Sequence, residues 1–82
     1  MTFKVFCPSL GGSIENAQQA IAITHAGAAF DWCRSKFSHD PEFASTIDDR
    51  EITVISVFSK EQKILKVNVR TVPEWNFKEV SQ

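Results

Sequence analysis

Two runs rich in β-branched residues, "EITVISVF" at 51–58 and "KILKVNVRTV" at 63–72, are separated only by the polar stretch "SKEQ". Nothing else in the 82 residues constrains the fold as much. The spacing predicts an antiparallel hairpin. A hairpin alone is marginal in water and needs more strands and a covering layer. Pairing Phe58 with Lys63 puts Ile52 and Val54 on one face with Val69 and Val67. The other face then carries Thr53, Ile55, Val57, Ile64, Lys66 and Asn68.

The rest of the chain supplies both needs. "TFKVF" reads as a first strand, with Phe3 and Val5 on one face and Lys4 and Phe6 on the other. Pro8 cannot donate to a sheet ladder, so this strand ends near Cys7, and Gly11 and Gly12 supply a loop. In "NAQQAIAIT" Ile21 and Ile23 alternate with Ala20 and Ala22, which predicts a second strand over roughly 17–24. A helix starting at Ser13, with Asn16 as its capping partner, is the alternative.

Thr24 has the chemistry of an N-cap for "HAGAAFDWCRSKF". At helical spacing Ala26, Ala29, Phe30, Cys33 and Phe37 form one apolar stripe, opposite Asp31, Arg34, Ser35 and Ser38. Trp32 falls on the flank beside Ala28. Asp40-Pro41 ends the helix, because proline disfavours α geometry in the residue before it. Beyond Pro73, "EWNFKEV" fits either a bent extension or a short edge strand. The expected architecture is α+β: a β-β-α-β-β antiparallel sheet with one amphipathic helix on one face, in a single domain spanning 1–82.

Composition removes several function classes. Hydrophobic content of 43 % and charged content of 23 % fit an ordinary globular chain. A net charge of −1 exerts no global pull toward nucleic acid or an anionic membrane, which argues against both as partners. No apolar stretch approaches the roughly 20 residues of a membrane span. The opening "MTFKVFCP" lacks the apolar core of a signal peptide, so a cytoplasmic location is expected. Two cysteines are too few for a secreted disulfide framework.

No motif for catalysis or cofactor binding emerges. "PSLGGSIEN" has neither the spacing nor the lysine of a phosphate loop. Cys7 has no second cysteine close in sequence, so Cys-Pro and Gly-Gly read as turn chemistry. Cys7, His25, Cys33 and His39 include zinc-ligand types, but without the close pairs such sites use. A Cys7–Cys33 disulfide would require the first strand to lie under the helix. His25 reads as a solvated first-turn residue, and "DPE" and "DDRE" as solvated loops. No enzyme, cofactor or metal is expected.

What remains is surface. One helix covers one sheet face, leaving Ile55, Val57, Ile64 and Phe6 on the other. Three arrangements account for such a patch: the "WNF" segment folds over it, a second copy packs on it, or another protein docks there. Trp32 and Trp75 are the expected aromatic anchors of an interface, with Lys66 beside them. Nucleic acid, met by Lys63, Lys66 and Arg70, is the alternative partner.

The order "CPSLGG", "ENAQ", an Ala-rich helix containing Trp, "EITVISV" and a closing "TVP" resembles a family of short uncharacterised proteins of bacterial genomes and their phages. The resemblance spans most of the chain and carries over no catalytic residue. The helix here is less acidic than that family's usual Glu-rich one. The resemblance implies a small protein, of phage or prophage origin, that acts by occupying a surface of a host protein. The expectation is therefore a non-enzymatic protein-binding module.

Overall fold

The computed structural model describes residues 1–69 and 74–80. Arg70 and Pro73 lie outside the described residues. The elements are β1 (Thr2–Phe6), β2 (Gln18–Ile21), α1 (His25–His39), α2 (Phe43–Ile47), β3 (Glu51–Ser56), β4 (Gln62–Val69) and β5 (Trp75–Glu79). The strands form one antiparallel sheet in the order β2-β1-β3-β4-β5. The α+β architecture expected from the sequence is present, and "WNFKE" is the edge strand.

The segment between β1 and β2 turns twice. Pro8 opens a 3₁₀ turn closed by Gly11, whose positive φ of 83° suits glycine. Gly12 then packs against the end of β1 so closely that a Cβ there would lie 2.8 Å from the Cys7 carbonyl oxygen. A second single turn follows at Ile14–Asn16, where Asn16 Oδ1 accepts from the Ser13 N–H at 2.8 Å. The Ser13–Asn16 signal is therefore real, but it caps one turn only, and the alternating segment behind it becomes β2.

Alternation assigns each strand residue to a face. The α1 side holds Phe3, Val5, Ala20, Ile52, Val54, Leu65 and Val67, all buried. Thr24 caps α1 by accepting from the Gly27 N–H at 3.0 Å. The buried stripe is the expected one rotated: Ala29 and Cys33 are buried and Phe37 packs against the core, but His25, Ala28 and Trp32 also point inward, while Phe30 is exposed. The reason is α2. Phe43, Ala44 and Ile47 are buried at the i, i+1, i+4 positions of a short helix for which the sequence offers no separate expectation. Phe43 meets Trp32 edge-on at 5.5 Å, which draws the helix round toward its Trp32 flank.

Two local expectations change as well. His25 is buried: its Nε2 bonds the Glu61 carbonyl oxygen at 3.0 Å and its ring meets Phe3 at 4.8 Å. The start of α1 lies against the β3–β4 turn, which shuts water out. That turn is also longer than expected. β3 ends at Ser56, Lys60 takes a positive φ of 65°, and Phe58 stands 92 % exposed at the tip. Val54 therefore faces Lys63 and not Val67, a slip of four residues. An even slip leaves every side chain on its expected face.

Candidate protein interface on the uncovered sheet face

The cross-strand register arranges the face away from the helices in rows. Ile21, Thr2 and Val57 form one row, because Thr2 pairs with Ile21 and accepts from the Val57 N–H. Gln19, Lys4, Ile55 and Gln62 form the next. Phe6, Thr53 and Ile64 follow, and then Glu51, Lys66 and Lys78. Apolar side chains thus run from the β2 edge across the central strands, and a charged row closes one end.

Of the residues expected on this surface, Ile55, Val57, Ile64 and Lys66 are there, as is Phe6. All five are partly exposed. Both helices pack on the opposite face, and β5 extends the sheet beside β4 without crossing over it. Among the described residues, the apolar rows are left uncovered by either helix.

Trp32 and Trp75 do not lie on the uncovered face. Each is only 7 % exposed and lies in the core on the helix side. Trp75 pairs with Val69 in β5 and points toward Phe37 and Phe43, at ring distances of 5.7 and 6.2 Å. Trp32 packs on Phe43 from α1, with the Lys36 ammonium 5.7 Å from its ring. An indole placed by helical angle alone looked peripheral, because the aromatic partner that buries it belongs to an unforeseen element.

The basic strand also divides. Lys63 lies on the helix side with Glu79 at 3.4 Å, and Lys66 lies on the open face with Asp49 at 3.1 Å. Exposed ion pairs of this kind contribute at most about 1 kcal/mol, but they neutralise the charge locally. Lys63 and Lys66 therefore do not form one basic stripe. The acidic run beside Lys66 is ordered and not simply solvated: Asp48 Oδ1 accepts from the Val69 N–H at 2.9 Å, and Asp49 adopts a positive φ of 68°.

Sequence reasoning missed Ile21 and Ile23 as surface residues. They are 79 % and 89 % exposed, the most exposed large aliphatic side chains among the described residues. The signal was the alternation in "QQAIAIT", which fixes a strand but does not tell an edge from a centre.

Cys7 and Cys33 are both free and buried, and β1 does lie beneath α1. Cys7 Sγ sits 3.3 Å from Ser9 Oγ and donates to the Glu51 carbonyl oxygen at 3.5 Å. Burial, and secondarily the neighbouring Cys7, pushes the Cys33 pKa up to about 12. A thiol held protonated in this way is a poor nucleophile at neutral pH. Among the described residues, no three His, Cys, Asp or Glu side chains converge as metal ligands. No helix among the described residues is long and apolar enough to cross a membrane.

Comparison of the chain with protein-family models, with curated proteins and with solved structures gives no match.

Proposed function

We propose that this protein is a non-enzymatic binding module that docks another protein on the uncovered sheet face. The observation that carries the reading is the run of Phe6, Ile55, Val57 and Ile64 across the central strands, opposite the face that the helices cover. Contiguous apolar surface on a small soluble domain is costly to leave in water and marks a binding surface. Lys66, Lys78 and Glu51 close one end of it, and Lys4 stands within it beside Ile55, with charges that can set the orientation of a partner. The partner suited to this face is an apolar protein surface with a polar rim. Occupying a host surface is the mode that the resemblance to short uncharacterised bacterial and phage proteins implies by analogy.

The test is a tagged pull-down with the native chain, Ile55→Glu and Ile64→Glu, each run with and without nuclease. A stoichiometric protein that survives nuclease and is lost with both variants is the expected result. Leu10→Glu, at an exposed position off the sheet, should retain it. Retention of the partner by Ile55→Glu and Ile64→Glu alike would remove the face from consideration.

Nucleic acid is the second reading, favoured by Phe6 sharing its face with Lys4, Lys66 and Lys78. It requires capture that nuclease abolishes and an affinity that falls steeply with salt.

A further inference from the structure

On the helix side of the sheet, a cavity of about 420 Å³ opens between the turns that follow β1 and the middle of α1. Val5 and Cys7 line it from the end of the first strand, Trp32 from α1 and Phe43 from α2. All four are buried, so packing holds these walls in place. Gly11 and Gly12 complete the side toward the turns, and a Cβ at Gly11 would meet open space. Small-molecule sites occupy roughly 300–1,000 Å³, and this cavity falls within that span.

The charge on the cavity has one sign. Lys36 is the one charged side chain among the described residues that line it. Its ammonium stands 5.7 Å from the Trp32 ring and makes no ion pair among the described residues. Asn16 stands at the mouth with its amide already oriented. Its Oδ1 accepts from the Ser13 N–H at 2.8 Å, so Nδ2 is the end left to donate. A molecule that displaces water from these groups must offer them an anion, because an ammonium cut off from water without a counter-charge is costly.

From this geometry we propose that the cavity binds a small aromatic carboxylate. The carboxylate meets the Lys36 ammonium, with Asn16 Nδ2 as a second donor. The ring lies against Trp32 and Phe43, which already meet edge-on with centroids 5.5 Å apart, and a third ring extends that pair. The buried walls are side chains of the helix side, so the proposal stands whether or not a protein docks on the uncovered face. Contact is made at once with α1, α2 and the turns after β1, three parts of the chain far apart in sequence.

The test is an NMR titration of the full chain with three probes of one shape: naphthalene-2-carboxylate, the neutral naphthalene-2-methanol and the cationic naphthalene-2-methylamine. The chain has three glycines, of which Gly11 and Gly12 line the cavity and Gly27 does not. The expected result is a saturable shift of the Gly11 and Gly12 amides, with Gly27 unmoved and a Kd for the acid of about 0.1–1 mM. The acid should bind about fivefold tighter than the alcohol, and the amine weaker than both. Lys36→Met keeps the side chain's reach over Trp32 and should bring the acid down to the level of the alcohol. Lys36→Glu should reverse the order, so that the amine binds tighter than the acid, which a lysine with only a structural role would not produce. The comparison of the three probes on the native chain needs no variant and decides the matter if a Lys36 variant unfolds. An acid that binds no tighter than the alcohol, or one that leaves Gly11 and Gly12 unmoved, would overturn the proposal. So would folded Lys36→Met or Lys36→Glu that still prefers the acid.

Discussion

At the scale of single residues, two positions carry more than their composition suggests. Gly12 is required by proximity: a methyl group there would lie 2.8 Å from the Cys7 carbonyl oxygen and 2.9 Å from its nitrogen. Backbone atoms cannot swing aside as a side-chain tip can. Gly12→Ala should therefore cost about 1–3 kcal/mol, read as a lower urea midpoint. Cys33 carries a pH dependence. Its thiol titrates near 9.0 when unfolded and at about 12 when folded, because burial disfavours the thiolate. Between those values the unfolded chain has released a proton that the folded chain retains, so stability falls as pH rises. This group removes up to about 1.4 kcal/mol per pH unit in that window and nothing below it. Urea midpoints from pH 7 to 10.5 should show a steeper alkaline decline for the native chain than for Cys33→Ala. Parallel curves would place the thiol elsewhere on the titration scale.

At the scale of elements, the aromatic cluster joins parts of the chain that are distant in sequence. Phe43 of α2 touches Trp32 of α1 and Trp75 of β5, and Phe37 completes the contact with Trp75. α2, at five residues, is too short to persist by its own hydrogen bonds and depends on this packing. Trp32→Ala should cost about 3–5 kcal/mol, much of the stability of so small a domain, whereas Trp32→Phe keeps an aromatic ring and should cost less. The measurement is chemical denaturation of the three proteins side by side. An alanine variant as stable as the native chain would mean that α2 is not anchored through Trp32. The elements that the sequence made legible are those with their own local signal. Alternation marked β1, β3 and β4, a capping threonine marked the start of α1, and Asp40-Pro41 marked its end. α2 had a signal too, in the spacing of Phe43, Ala44 and Ile47, but a single turn of apolar spacing between acidic residues also describes a loop.

At the scale of the whole molecule, the sheet has one face that both helices cover and one that they leave open. The fold control for the Ile55→Glu and Ile64→Glu pull-down is Ile52→Glu, at a fully buried position of the helix-side face. It should abolish the cooperative melt, whereas the two open-face variants should keep theirs. Loss of folding in all three would make both faces core. Four of the open-face apolar residues, Phe6, Ile55, Val57 and Ile64, could be read from the sequence, because side-chain alternation survives any even change of register. Hence Ile55 and Ile64 keep their expected face although Val54 pairs with Lys63 and not Val67. By itself, then, the sequence determined the strands, the capped helix and the two-sidedness of the sheet, all of which follow from periods of two and 3.6 residues. Tertiary structure alone decided the burial of Trp32, Trp75 and His25, and the position of "QQAIAIT" at a free edge. Burial and edge position depend on which neighbours arrive from far along the chain, and no local period records that.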